Sequence, residues 1–250
     1  MALSALAAGC QKQDDHPPYA APCEVDCKPT TELDGGSGTL TGQVLQLTDQ
    51  SFVKTALYSK TATVSADGSS AATVTGPWDG ADPYTLDGVA AEPINWASVN
   101  PDEAQGDAML TYQAVATNMV SVADLHLVSA STLDAVFNAV SAIRSPTFGQ
   151  VVLFFHSRGT GAPLAGLQVS ITTAQVAAYA SGAGWTLDDG TAVTDASGLV
   201  VFGNVETTTG VQTVTISRAQ TATLAPVSAG TFPVKVVEGA VTMANVNVQL

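Results

Sequence analysis

Three histidines, three cysteines, a surplus of carboxylates and a few loop aromatics are the side chains here with the chemistry to cleave, ligate or bind. None of His16, His126 and His156 has a glutamate three positions on, so the His-x-x-Glu zinc pair of a metallohydrolase is missing. His156 closes an apolar run beside Arg158 and reads as a strand-end polar residue rather than a general base. There is no Gly-x-Ser-x-Gly segment to present a nucleophilic serine, so no catalytic residue is assigned. Cys23 and Cys27, with only His16 nearby, do not complete a tetrahedral zinc shell. Asp188, Asp189 and Asp195, and separately Asp79, Asp82 and Asp87, bring hard oxygens close together in sequence. Neither set follows the EF-hand spacing, and Asp before Gly is ordinary β-turn composition, so no metal or other cofactor is expected. The ligand-binding candidates are therefore aromatic. Trp78 and Tyr84 flank the loop at 76–83, and Trp185 follows Ser181-Gly182-Ala183-Gly184. Flat rings on loops can stack on a sugar or anchor a protein partner, although the same rings can instead close the open ends of a β-sandwich.

The elements that must position these residues are strands. Thr194-Asp195-Ala196-Ser197-Gly198 is a turn whose Asp and Ser can bond their own backbone and whose Gly can take a positive φ; an apolar, β-branched run follows at 199–205. Upstream, Gly161-Ala162-Pro163-Leu164-Ala165-Gly166 is a second turn. It leads into Leu167, Val169 and Ile171 alternating with polar residues, the pattern of a half-buried strand.

Together these two segments resemble the carboxypeptidase regulatory-like family, whose pattern joins a Gly-x-Pro-Leu-x-Gly turn to a Thr-Asp-x-x-Gly turn, an apolar strand and an Asn-Val pair. The resemblance covers residues 150–250 and implies a transthyretin-like β-sandwich. It implies a fold far more than an activity, because that fold serves many unrelated tasks.

Composition agrees with an all-β secreted protein. Only 12% of residues are charged, and Thr and Ser take the place of Lys and Glu on exposed strand faces. The net charge of −14, from 8 basic and 22 acidic residues, repels nucleic acid and anionic lipid headgroups. No nucleic-acid partner is expected.

At the N-terminus, Leu6-Ala7-Ala8-Gly9-Cys10 resembles the lipobox of bacterial lipoproteins. The preceding residues carry no Lys or Arg and form only a short apolar run, so the sequence is expected to begin inside a truncated signal peptide spanning 1–10. The resemblance implies that Cys10 is acylated and is the membrane partner. At about 0.8 kcal/mol per buried CH₂, two or three chains anchor stably. Gln11, where Asp would retain the protein in the inner membrane, favours the outer membrane and a periplasmic or surface-exposed location. With Cys10 lipidated, Cys23 and Cys27 remain as a pair that an oxidising compartment would close into a disulfide. Residues 11–38, rich in Pro, Gly and Asp, read as a flexible tether.

The expected architecture is mainly β, with two transthyretin-like antiparallel β-sandwich modules, 39–130 and 149–250, joined by one amphipathic α-helix and loop at 131–148. Ser131 can cap the helix with Asp134 three residues on. Leu133, Val136, Phe137, Val140 and Ile143 share one face, and Arg144 and Pro146 end it. Packed on the sandwiches, that face would fix their orientation. The final strand alternates Ala244, Val246, Val248 and Leu250 with Asn245, Asn247 and Gln249, which predicts a half-buried strand near an edge. These readings lead to a non-enzymatic, envelope-anchored lipoprotein acting as a structural, adhesive or carbohydrate- or protein-binding module. The alternative is an accessory domain that positions substrate for a separate enzyme or transporter.

Overall fold

A computed structural model describes residues 23–24, 37–66, 74–78, 83–90, 94–102, 106–116, 120–182, 184–207, 210–218 and 227–249. The N-terminal half holds β1 (Cys23–Glu24), β2 (Ser37–Gly42), β3 (Val44–Leu47), β4 (Thr55–Leu57), β5 (Ala62–Ala66), β6 (Val74–Thr75), β7 (Tyr84–Ala90), β8 (Asn95–Pro101), β9 (Thr111–Val115), β10 (Val120–Val122) and β11 (Leu125–Leu127). After α1 (Ala130–Ala139) come β12 (Gly149–Ser157), β13 (Leu167–Ile171), β14 (Ala174–Ser181) and β15 (Gly184–Leu187). The chain finishes with β16 (Leu199–Val205), β17 (Val211–Arg218), β18 (Val227–Lys235) and β19 (Val241–Val248). The protein is mainly β, as its composition predicts.

Among the described residues, β15-β14-β16-β12-β19-β9-β8-β5-β6 lie side by side in a ten-stranded sheet, and β1 joins it by pairing with β19 beyond the end of β9. Three-stranded sheets, β10-β2-β7, β11-β3-β4 and β13-β17-β18, complete the layers. Hairpin neighbours are antiparallel, but β12–β19, β9–β19, β2–β10 and β3–β11 are parallel, so the sheets are mixed rather than purely antiparallel.

Strand β12 shows why a continuous apolar run was needed at 151–155: both of its faces are covered. Val151, Leu153 and Phe155 point into a sandwich core with Leu167, Val169, Ile216 and Phe232. Val152 and Phe154 point the other way, into a cluster with α1 and with Leu47 and Phe52 of the N-terminal half. Strands β16 and β19 divide in the same manner. A third cluster, with Leu40, Val64, Trp78, Tyr84, Leu86 and Leu125, fills the N-terminal half.

The helix differs from expectation at both ends. Its N-cap is Ser129, whose Oγ accepts from the Thr132 N–H at 3.1 Å. Ser131 instead donates to Asp107. Asp134 is not part of a capping box; it pairs with Arg144 at 2.7 Å. The helix ends early because Ser141 turns left-handed, with φ 56°. That turn carries Ile143 away from the apolar face to 85% exposure, whereas Leu133, Val136, Phe137 and Val140 are buried. At about 1.5 to 3 kcal/mol of transfer energy per side chain, this face holds the helix on the sheet. Gly203 lets it sit close, since a Cβ there would lie 2.1 Å from the Phe137 ring.

The last strand is not at an edge. β19 lies between β12 and β9, and Asn245 and Asn247 are each 9% exposed. Alternation of Asn with apolar residues is an edge signal only if the polar face meets water; here neighbouring elements cover it. Beyond the end of β9 the edge of β19 is filled from residues 11–38, where Cys23 and Glu24 pair in register with Val246 and Asn247. Ser37 and Gly38, at the end of the expected tether, already belong to β2, while the remainder of 11–38, the Cys10, Cys23 and Cys27 thiols and the Asp67-Gly68 turn lie outside what is described.

Thr194 ties the two turns of the family-like motif together. Its hydroxyl donates to the Leu164 carbonyl at 2.7 Å and accepts from the Leu167 N–H at 3.0 Å. Gly198 has φ +66°, as the turn requires. Asn204, the Asn of the Asn-Val pair, adopts φ 51° and holds the loop after α1: its Oδ1 accepts from the Ser145 N–H at 2.7 Å and its Nδ2 donates to the Ile143 carbonyl at 2.9 Å.

Candidate functional site

The three aromatic candidates are not brought together. Trp78 is 3% and Tyr84 0% exposed. Their rings meet edge to face at 6.2 Å, within the core of the N-terminal half. Tyr84 is held further by its hydroxyl, which donates to the Ala123 carbonyl at 2.6 Å; burial pushes that phenol well above its usual range. Neither ring offers an open face to a sugar in this conformation. Trp78 follows Gly76-Pro77 and Tyr84 opens strand β7, and both side chains are buried.

Trp185 is different. It stands on edge strand β15 rather than in a loop, opposite Ala180 across the hairpin, and it is half-buried. Its ring packs edge to face on Phe52 at 6.2 Å. Phe52 comes from the other half of the chain and is held at φ 54°, a costly conformation for a bulky residue. Asp49 supports it: its carboxylate accepts from Ser51 Oγ at 2.9 Å and from the Val53 and Lys54 N–H groups at 3.4 Å. Next to Trp185 along the strand, Leu187 is 48% exposed. Nothing at Phe52 in the sequence marks this joint apart from Asp49 as a turn former.

Beside the β9–β19 pairing lies a second feature that sequence reasoning passed over. His126 on β11 is 1% exposed. Gln113 of β9 accepts through Oε1 from the His126 backbone N–H at 3.0 Å and faces Nδ1 at 3.1 Å, while its Nε2 donates to the Asp124 carbonyl at 2.9 Å. With the amide oriented by those two backbone bonds, Nδ1 carries the imidazole proton. Burial lowers the His126 pKa from 6.5 to about 4, so the ring is neutral at pH 7.

This has a consequence for stability. The unfolded chain takes up a proton on His126 near pH 6.5, the folded chain only near 4, so between those values the unfolded state binds more protons. Stability is full above the upper value and falls as pH drops toward the lower one. The whole interval is worth about 3 kcal/mol. Thermal melts between about pH 7 and 4.5 should show a falling midpoint, and His126→Gln should flatten the slope. An equal slope in the variant would place the titrating group elsewhere.

The acidic sets serve their own turns. Asp188 accepts from the Gly190 N–H at 2.8 Å and Asp189 from the Thr191 N–H at 2.9 Å. Asp195 accepts from the Ser197 N–H at 2.8 Å and the Gly182 N–H at 2.9 Å. Desolvation raises the Asp195 pKa, but the bonds from Ser197 and Gly182 outweigh it and leave the carboxyl below its usual range. Asp87 accepts from the Thr39 hydroxyl at 2.8 Å. Asp79 and Asp82 lie outside the described residues. Among the described residues, no group of three or more His, Cys, Asp or Glu is placed to hold a metal ion. His156 Nδ1 lies 3.2 Å from the Gly161 carbonyl, at the turn that closes strand β12.

No protein-family profile and no curated protein matches the chain. Among solved structures, it is similar to the shaft pilin SpaA of Lactobacillus rhamnosus GG, at 11% identity over 84% of this chain and 97% of that one, with a TM-score of 0.24. It is also similar to the minor pilin of Streptococcus agalactiae, at 11% identity over 85% and 95% with a TM-score of 0.27. The group B streptococcus pilus 2b backbone protein shares 13% identity over 94% and 96%, with a TM-score of 0.26. At that identity and those scores the likeness carries no argument about function.

Proposed function

We propose that the chain is a non-catalytic structural or adhesive module of the bacterial cell envelope, carried on a lipid at Cys10. The observation that carries the reading is how the interior polar side chains are used. Tyr84 and Tyr179 hydroxyls, the Gln113 amide, the Asn204 amide and the Thr194 hydroxyl each bond main chain of a neighbouring segment, so they act as cross-links between strands. A network of this kind specifies one rigid arrangement. A rigid body on a Pro- and Gly-rich leader suits a scaffold held away from a membrane. The carboxypeptidase regulatory-like resemblance of residues 150–250 fits this reading, because such sandwiches serve as attached modules. Any glycan or protein partner would meet Trp185 and Leu187 on edge strand β15, where apolar surface is accessible.

Among the described residues no helix is long and apolar enough to cross a membrane. In this reading the attachment is the lipid on Cys10. Expressed behind a complete secretory signal, the wild-type chain should partition into the detergent phase and Cys10→Ser into the aqueous phase. Equal partitioning of the two would sink the lipid anchor.

A further inference from the structure

We infer that the chain is built to bear tension along its length. Leaving aside the two-residue β1, the opening and closing strands of each half are hydrogen-bonded neighbours and run parallel. In the N-terminal half, β2 and β3 run beside β10 and β11 from Thr39↔Val120 to Gln46↔Leu127. The two partners switch sheets at the same place, where Gly42 approaches the Ala123 carbonyl so closely that a Cβ would lie 2.0 Å from it. In the C-terminal half, β12 runs beside β19 from Gln150↔Val241 to Ser157↔Val248. The short β1–β19 pairing has the same sense.

Direction decides how such a pair fails. A pull that enters at the start of the first strand and leaves at the end of the last acts at opposite ends of a parallel pair. The strands must then slide, and the ladder bonds between them share the load. In an antiparallel pair the same two ends are adjacent, and the bonds open one after another. Sliding is opposed here by side chains as well, since both faces of β12 and β19 are packed: Leu153 and Val246 in one core, Val152 and Met243 in the other. The chain leaves the first pair at Leu127, passes through α1 and enters the second at Gly149, so once the two-residue β1–β19 pairing has parted the two pairs lie in series between an N-terminal anchor and whatever is held at the C-terminal end. Forced unfolding depends on the barrier rather than on equilibrium stability, and the loading geometry sets that barrier.

The physiological meaning of this property rests on the reading of the chain as an anchored scaffold, whereas the property itself is tested on the soluble chain. Single-molecule pulling on the full chain, with Cys10, Cys23 and Cys27 changed to serine, compares two attachments to one strand pair. Thr147→Cys with an added C-terminal cysteine loads β12 against β19 in shear. Gly159→Cys with the same C-terminal cysteine loads their adjacent ends. Both positions are exposed, and nothing lies within 4 Å of a Cβ at Gly159. The first attachment should unfold at a force roughly threefold or more above the second at equal loading rate. A repeat on the N-terminal pair, Ser37→Cys against Gln50→Cys, each with Ser131→Cys, gives the same comparison in an independent place and keeps the test decisive if one thiol variant melts low. A ratio near one at either pair would overturn the inference. That result would leave detergent partitioning untouched, just as failure of the anchor would leave the force ratio untouched.

Discussion

Gly198→Val is expected to destabilise the fold by more than about 3 kcal/mol, because a left-handed β-branched residue is strained by about 1 to 3 kcal/mol and a steric clash is added to it. Gly198 has φ +66°, and a Cβ there would lie 2.4 Å from the Phe155 carbonyl oxygen. That oxygen cannot step aside cheaply, since it accepts from the Leu164 N–H at 2.8 Å, and the Phe155 N–H in turn donates to the Gly198 carbonyl at 2.8 Å. A shift at residue 198 therefore pulls on β12, the strand shared by two cores. For a chain of this length the expected fall in Tm is about 6 to 12 °C. Gly166→Ala separates the two causes. Gly166 has φ +82° with nothing within 4 Å of its Cβ position, so alanine there meets backbone strain alone and should cost about 1 kcal/mol. A Gly198→Val midpoint within 2 °C or so of wild type would mean that the turn has another geometry.

Trp78→Ala should cost about 3 to 5 kcal/mol, the range for truncating a buried aromatic, and lower Tm by roughly 6 to 20 °C. The ring is 3% exposed, and its edge-to-face partner Tyr84 would border the cavity left behind. Trp78→Phe should recover most of the loss. The indole Nε1 is buried and makes no hydrogen bond among the described residues, so replacing the indole by phenyl leaves no polar partner stranded. Trp185→Ala, at a half-buried position, should destabilise less. Glycan binding measured on the same three variants decides their role: if Trp78→Ala melts like wild type but loses a glycan that wild type binds, the ring is a ligand contact and its packed position is not the one populated in solution.

Much of the architecture was legible in the amino-acid order because the signals involved are local. The positive φ at Gly198, the Thr194–Ser197 turn, the strand at 167–171 and the apolar face of α1 depend on residues within a few positions of one another. Helix ends were less so. The sequence points to Ser131 as the cap, but Ser131 is engaged by Asp107, twenty-four positions back, and Ser129 caps the helix instead. Of the aromatic candidates, the sequence by itself determined only that Trp78, Tyr84 and Trp185 neighbour turn-forming residues.

Tertiary structure decided which way those rings face and which strands sit side by side. Tyr84 is buried because the Ala123 carbonyl lies across from it, and Trp185 is covered on one side because Phe52 reaches over from the other half. Asn245 and Asn247 alternate with apolar neighbours as on an edge strand, yet β19 is central, because the elements that cover it lie far away in the chain. A period-two pattern records which residues share a face of a strand and carries no information about what lies against that face. Strand order depends on contacts between segments more than a hundred residues apart, such as Thr111 with Val241, and only the assembled sheet brings those segments into register.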